Sequence, residues 1–208
     1  VGAIFTSFLE SQRASVSAFP GTFLRHYFAP RPDGTRFVQT DQDGINLLAD
    51  AIAPTIASVK SGYLQSDHIE DADAVASALE ERFEQIHVGL HDDVEGVFGQ
   101  DWGGGVPNAP RQRIAQVFTS TIALGGYSRD DGSSALTTIR QQLLRAAYLG
   151  TLLGAVALGK HTVVLTMIGG GVFANPHEAI WDAIHWAISE TEAVADGIID
   201  VVVNVRDG

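Results

Sequence analysis

One stretch, VVLTMIGGGVFANPHEAIWDAI over residues 163–184, constrains the fold more than any other part of the sequence. An apolar run typical of a buried strand stops at three consecutive glycines, and apolar residues at helical spacing follow. Asn175 is predicted to cap that helix, with Pro176 at its first position and Glu178 at its third. The glycines therefore join the carboxyl end of a strand to the amino end of a helix.

This position has a chemical consequence, because open α/β sheets bind ligands beyond the carboxyl ends of their strands. Gly169, Gly170 and Gly171 carry no Cβ atoms, so a ligand can approach the main chain closely. The N–H groups and dipole of the following helix favour an anion, and a diphosphate is a natural candidate. A tight strand–helix turn without a ligand explains the same glycines. The stretch matches neither a Walker loop nor the G-x-G-x-x-G dinucleotide fingerprint.

Helical and strand patterns alternate along the 208 residues, which predicts an α/β fold with a largely parallel sheet and helices on both faces. No strong linker interrupts them, so one domain over residues 1–208 is predicted, with a helix at about residues 1–20 that is either part of it or an extension. Helices are predicted over residues 2–18, 41–60, 71–86, 134–160 and 175–189, and strands over residues 36–40, 86–98, 113–126, 161–168 and 198–205.

The predicted strand over residues 86–98 carries the most ionisable side chains. Its apolar and polar residues alternate, so Asp93 and Glu95 are expected to share one face, roughly 6–7 Å apart along the strand. That spacing can hold a sugar and a water between two carboxyl groups. His87 and His91 fall on the same predicted face and could complete a metal site with Asp93, but a solvated strand end is the more economical interpretation. No metal is therefore predicted.

Charge and composition exclude several classes of function. The formal net charge of −12 is unsuited to general binding of a nucleic acid backbone. The sequence has no cysteine, which excludes disulfides and thiolate catalysis. The longest apolar stretch is interrupted by charged residues and glycines, so no membrane span is predicted, and the N-terminus lacks a basic signal-peptide region. A cytoplasmic, intracellular location is predicted, and secretion as an effector stays open.

Six stretches resemble, in their order, a divergent branch of the macrodomain family. They are LRHYFAP…FVQTDQDGINLL, VGLHDDVEG, QVFTSTIALGGYS, AAYLGTLLGAVALGK, VVLTMIGGGVFANP and IIDVVVNV, and the resemblance covers about residues 22–205. That branch includes bacterial effector and eukaryotic hydrolases that remove ADP-ribose from ubiquitin. The resemblance implies a three-layer α/β/α domain that binds ADP-ribose or an ADP-ribosylated protein, with no cofactor.

The resemblance also implies which residues contact the ligand. Residues 169–175 match the family's phosphate-binding loop, residues 120–127 match the facing loop, and a Gln-Thr…Ile-Asn segment lies near the ligand. The residues matched in these three segments are Gln39, Thr40, Asn46, Ser120, Gly125, Gly126, Tyr127, Gly169, Gly170, Gly171, Val172, Phe173 and Asn175.

Asp93 and Glu95 match the acidic pair of the branch's W-D-T-E stretch, which implies a catalytic role for both. Here the stretch is D-D-V-E, with Asp92 and Val94 in place of the aromatic residue and the threonine. The branch also often has a glutamate where this chain has Leu149 and Gly150. Three functions therefore stay open: an ADP-ribosyl hydrolase, a module that holds ADP-ribose without cleaving it, and a phosphoesterase acting on an ADP-ribose-like nucleotide.

Overall fold

The computed structural model describes residues 19–40, 43–59, 64–95, 113–119, 121–171, 173–197 and 199–205. Helices and strands are mixed along these residues, as the sequence predicts for an α/β chain. The predicted helix over residues 2–18 lies outside them. Contacts divide the chain into two compact units. The first unit holds the described parts of Val1–Asn46 and Gly89–Phe118, and the second those of Leu47–Val59, Tyr63–Val88 and Thr119–Gly208.

The described residues of the first unit form one short helix and two antiparallel strand pairs. Its elements are α1 (Phe19–Tyr27), β1 (Ala29–Pro30), β2 (Arg36–Phe37), β3 (Gly89–Glu95) and β4 (Arg113–Phe118). β1 pairs with β2, and β3 pairs with β4. The strand predicted over residues 36–40 is therefore limited to the two residues of β2.

The inner face of α1 is closely fitted to the β3–β4 pair. A Cβ atom on Gly21 would lie 2.6 Å from Cγ1 of Val94, so the helix can approach the strand only because this residue is glycine. One turn further on, the buried Arg25 donates to Oε1 of Gln116 at 2.8 Å and lies over the Phe118 ring, 4.9 Å from its centre. Burial lowers the pKa of Arg25 to about 10, which still leaves the guanidinium charged at neutral pH.

The described residues of the second unit contain the long helices predicted from helical periodicity, together with a 3₁₀ turn and two strands. They are α2 (Ala72–Glu81), a 3₁₀ turn (Phe83–Gln85), α3 (Ser134–Ala157), β5 (Thr162–Thr166), α4 (His177–Val194) and β6 (Asp200–Asn204). Side chains cap the first two helices, since the Asp71 carboxylate accepts from the N–H of Ala74 and the Ser133 hydroxyl accepts from that of Leu136. The predicted helices over residues 71–86 and 134–160 are confirmed, with small differences at their ends.

Helix α3 organises the core of the second unit because it is apolar on two faces. Leu136, Ile139 and Leu143 belong to one buried cluster, which includes Val75 and Leu79 of α2. Leu144, Tyr148 and Leu152 belong to another, which includes Val163 and Leu165 of β5 and Ile180 and Ile184 of α4. Burying each such large apolar side chain stabilises the fold by about 1.5–3 kcal/mol.

Strands β5 and β6 form a parallel pair in which Thr162 lies opposite Asp200 and Thr166 opposite Asn204. The buried strand predicted over residues 161–168 is present as β5, but only one of its faces is buried. Val163 and Leu165 are buried against the helices, whereas Val164 is 61% exposed on the other face. The described strands therefore form three two-stranded sheets, of which this one is parallel.

Two other sequence predictions are wrong. The described part of residues 41–60 contains turns rather than a helix, although Leu48 and Ile52 are buried as their spacing suggests. Pro54 cannot donate a backbone hydrogen bond and disfavours helical geometry in the residue before it, so apolar spacing there reflects burial alone. The strand predicted over residues 113–126 ends at Phe118, and the buried part begins at Thr121 in the second unit.

Candidate functional site

The three glycines lie where the sequence places them, between the carboxyl end of β5 and the amino end of α4. The chain leaves β5 through a hydrogen bond from the N–H of Ile168 to the carbonyl of Thr166, 2.8 Å long. The N–H of Gly170 then donates to the carbonyl of Met167 at 3.1 Å, and that of Asn175 to the carbonyl of Gly169 at 3.0 Å. We call residues 167–176 the glycine turn; its own backbone bonds close it.

Each glycine of the turn meets different surroundings. Gly169 has a φ of +74°, and a Cβ atom there would lie 2.5 Å from Nδ2 of Asn175 and 2.9 Å from Oγ1 of Thr121. A Cβ on Gly170 would lie 3.0 Å from Cδ1 of Ile180, which is tight, whereas one on Gly171 would meet no atom within 4 Å. Gly169 is thus required by the fold of the turn itself, and Gly171 borders open space.

Asn175 does not cap the helix, so that prediction is wrong. Pro176 is the N-cap, without a side-chain bond, and α4 begins at His177. The Asn175 side chain is instead buried, and its Nδ2 donates to the carbonyl of Gly169 at 3.2 Å and to that of Ile122 at 3.4 Å. It therefore ties the glycine turn to a neighbouring segment, a long-range contact that local sequence patterns do not reveal.

That neighbouring segment is the predicted facing loop, and the structure brings it against the glycine turn. Residues 121–124 are buried, and Gly125 turns the chain with a φ of +65°. The Ser128 hydroxyl closes this loop by donating to the carbonyl of Ala123. The rings of Tyr127 and Phe173 then meet edge to face, with centres 5.3 Å apart. Ser120 and Val172, also predicted in these loops, lie outside the described residues.

The electrostatics of the glycine turn suit an anion. Among the described groups, none accepts a hydrogen bond from the N–H of Gly169 or Gly171. The turn precedes α4, an 18-residue helix whose dipole places partial positive charge at its amino end. A Cβ on Gly170 would lie 3.4 Å from Nε2 of His177, so this imidazole also borders the turn. Backbone amides and a helix amino end together are a common phosphate-binding arrangement.

The acidic pair in β3 has a less regular setting than the sequence predicts. The pairing with β4 shifts register between His91 and Val94, and Asp93 has a φ of +58°. The expected alternation is therefore wrong, since Leu90 is 43% exposed whereas Val94 is buried. Asp93 lies within this irregularity and Glu95 follows it, so regular strand geometry does not set their separation.

Asp93 is held by a basic side chain from the partner strand. Nη1 of Arg113 donates to Oδ2 of Asp93 at 2.8 Å and to its main-chain carbonyl at 2.9 Å. Arg113 lies opposite Glu95 in the strand register, so one cation faces both acids. The Asp93 side chain is nevertheless 71% exposed, which leaves its carboxylate accessible to solvent.

The Gln39 segment is built into the first unit. Gln39 is buried, its Nε2 donates to the carbonyl of Arg25 at 2.7 Å, and its Oε1 accepts from the N–H of Ile45 at 3.0 Å. Thr40 forms a turn with Asp43, and Asn46 is exposed. The Gln39 amide therefore shapes this segment, and of the three residues Thr40 and Asn46 are the exposed ones.

Two residues near the glycine turn were missed by the sequence analysis. Thr121 is buried against Gly169, and Tyr148 of α3 reaches the end of β5 with its hydroxyl. Both come from distant parts of the sequence. The buried helical spacing of Leu144, Tyr148 and Leu152 predicts a core position for the tyrosine but gives no reason to expect a polar contact.

A metal-binding cluster and a membrane-spanning helix are both absent from the described residues. No group of three His, Asp or Glu side chains there could hold a metal ion. His87 instead pairs with Asp50 at 2.7 Å, and Nδ1 of His91 lies 3.1 Å from Nη1 of Arg25. No helix in the same part of the chain is both long and apolar enough to cross a lipid bilayer.

Comparison with known proteins returns no match: no family model, no curated protein and no solved structure is similar to the chain.

Proposed function

We propose that the chain is a macrodomain-type, three-layer α/β/α protein that binds ADP-ribose and hydrolyses its glycosidic link to a modified protein, ubiquitin among the candidates, inside the cell. The observation that carries the proposal is the glycine turn, which follows a parallel strand, precedes an 18-residue helix and has the Gly125–Tyr127 loop against it.

The chemistry of ADP-ribose matches the groups at the glycine turn. Its diphosphate needs hydrogen-bond donors, and the N–H groups of Gly169 and Gly171 have no described acceptor. Its riboses need flat or polar surfaces, and the Tyr127–Phe173 pair provides two aromatic rings beside the turn. Tyr127 is 42% exposed, so its ring is available to a ligand.

The hydrolytic part of the proposal assigns the chemistry to Asp93 and Glu95. One carboxylate activates water for attack on the anomeric carbon, and the other acid protonates the departing oxygen of the modified protein. Water supplies the hydroxyl of the released ADP-ribose and the proton of the released protein. The exposure of the Asp93 side chain allows water to reach its carboxylate.

The binding claim is tested with a charge placed on the turn. Gly171→Glu is the sharpest variant, because a Cβ atom there would meet no atom within 4 Å, so the fold should survive the substitution. Calorimetry should give roughly micromolar ADP-ribose binding for the wild type and at least tenfold weaker binding for Gly171→Glu. The matched control is Gly197→Glu, equally open and located before the amino end of β6, where binding should be unchanged. Absence of binding by the folded wild type would remove the proposal.

A second candidate, a module that holds ADP-ribose without cleaving it, is favoured by one observation. The Asp93 carboxylate is already bound by Arg113 at 2.8 Å. A charge-assisted bond of this kind occupies one of the two carboxylate oxygens. Release of ADP-ribose from modified ubiquitin decides between the two candidates: turnover supports the hydrolase, and tight binding without turnover supports the module.

A further inference from the structure

The hydroxyl of Tyr148 contacts both sides of the point at which the chain leaves β5. It donates to the carbonyl of Thr166, the last residue of the strand, at 2.8 Å. It also accepts from the N–H of Ile168, the second residue after the strand, at 3.0 Å. The N–H of Ile168 also donates to the Thr166 carbonyl at 2.8 Å, so the hydroxyl, the carbonyl and the N–H are all hydrogen-bonded to one another.

The rest of the tyrosine is fixed by the core. Tyr148 is fully buried in the cluster that α3 forms with β5 and α4. Burial raises the pKa of the phenol to about 12, so the hydroxyl stays neutral at physiological pH and both donates and accepts. Both bonds are half-buried. Without the hydroxyl, the Ile168 N–H would keep only its bond to the Thr166 carbonyl among the described groups, so the exit from the strand would be held less firmly.

The backbone geometry at the end of β5 determines the path that the chain takes through the glycine turn. Gly169 comes directly after Ile168, and the next bond, from Gly170 to Met167, starts from the same short segment. We propose that Tyr148 is a positioning residue, whose hydroxyl fixes the exit of β5 and thereby aims the N–H groups of Gly169 and Gly171 at an anion. The inference rests on the proposed function, in which that anion is the diphosphate of ADP-ribose.

The test uses Tyr148→Phe, which keeps the ring and removes only the hydroxyl. Its matched control is Thr191→Val in α4, which removes a buried hydroxyl that donates to the carbonyl of Ala187 at 2.8 Å. Both variants lose one buried hydroxyl, but only one of them touches the turn. Hydrogen exchange of individual amides, ADP-ribose affinity and urea unfolding are measured for the wild type and both variants.

Tyr148→Phe should speed exchange of the Ile168 amide by at least tenfold relative to the other amides of the second unit, and should weaken ADP-ribose binding by about tenfold. Thr191→Val should leave the Ile168 exchange rate and the ADP-ribose affinity unchanged, even if its urea midpoint falls as much as that of Tyr148→Phe. Equal behaviour of the two variants at the turn would overturn the inference, as would an unprotected Ile168 amide in the wild type. If the wild type binds no ADP-ribose, the proposed function fails, while selective exchange at Ile168 still supports the positioning role.

Discussion

The glycine turn and the acidic end of the β3–β4 pair are built in opposite ways. The turn is held by buried groups, since Asn175 and Tyr148 are both nearly inaccessible and both bond to its backbone. The acidic end is held at the surface, by an ion pair in which the Arg113 and Asp93 side chains are 46% and 71% exposed. Each lies in a different unit of the chain.

This difference indicates how the two proposed activities would respond to change. Buried hydrogen bonds are costly to break, so a single atom removed under the turn should disturb ligand binding. Exposed ion pairs contribute little to stability, so substitutions at the acidic end should change turnover without unfolding the chain. Binding and hydrolysis should therefore be separable by mutation.

The largest stability effect is expected at Gly169. In Gly169→Ala the new Cβ would lie 2.5 Å from Nδ2 of Asn175, at a φ of +74°. Left-handed strain and overpacking together should lower the free energy of unfolding by about 3 kcal/mol. Urea denaturation measures this loss. Gly171→Ala is the control, and its free energy of unfolding should equal or slightly exceed that of the wild type. Equal losses of stability in both variants would contradict the finding that a Cβ atom clashes at Gly169 but not at Gly171.

Asp93→Asn should give the next largest effect, on turnover alone. Asparagine tolerates the left-handed backbone of Asp93, with its φ of +58°, but cannot act as a base. Release of ADP-ribose from modified ubiquitin should fall by about a hundredfold, with ADP-ribose affinity retained. Asp93→Ala should lose the same activity and in addition about 1 kcal/mol of stability from backbone strain. Full turnover in Asp93→Asn would remove this residue from the mechanism.

A smaller effect is expected from pH through His91. Burial, and then the nearby charge of Arg25, lower the pKa of this imidazole below its usual value. The unfolded chain therefore binds the proton more readily, and the stability present above about pH 6.5 is lost as the pH falls through the lower folded pKa. Urea midpoints between pH 7.5 and 5.0 should decline.

His91→Gln is the matched variant for this pH dependence, because it keeps a polar group beside Arg25 but does not titrate. Its urea midpoint should decline less over the same range. The carboxyl groups of Asp33 and Asp131 do not affect the comparison, because hydrogen bonds from Thr35 and Ser133 hold their pKa values below the usual range of an aspartate. Identical pH profiles for the wild type and the variant would show that His91 is not the group responsible.

Arg113→Gln should have the smallest effect on folding. The ion pair with Asp93 is exposed, so its loss should change the free energy of unfolding by less than about 0.5 kcal/mol. Turnover by this variant also distinguishes the hydrolase from the module that only binds. If the chain is a hydrolase, freeing the Asp93 carboxylate should leave its activity at least as high as that of the wild type. If the free energy of unfolding fell by more than about 1.5 kcal/mol, the ion pair at the acidic end would stabilise the chain as strongly as the buried contacts of the glycine turn, which would contradict the comparison.

The sequence predicts the parts of this fold that depend on local patterns. Helices α2 and α3 follow from apolar residues at helical spacing. The glycine turn follows from an apolar run, three glycines and a second helical pattern. In each case the residue types that define the element lie next to one another, so a window of neighbouring residues is enough to predict that it forms.

The sequence does not predict what depends on distant partners. The bond of Asn175 to Ile122 spans 53 residues, and that of Tyr148 to Ile168 joins a helix to a turn 20 residues away. The register shift at Asp93 is set by the pairing with β4, and strict alternation therefore failed there. Periodicity also misled at residues 43–59, where buried Leu48 and Ile52 lie in turns.

The central claim, that the glycine turn binds ADP-ribose, is tested most directly by titrating ¹⁵N-labelled protein with ADP-ribose and following individual amide signals. The account predicts saturable shifts at Gly169, Gly171 and Tyr127, with roughly micromolar affinity. Signals from the amino end of β6, around Asp200, should stay in place. Unchanged glycine signals in a folded protein at millimolar ADP-ribose would contradict the account, as would shifts confined to the first unit.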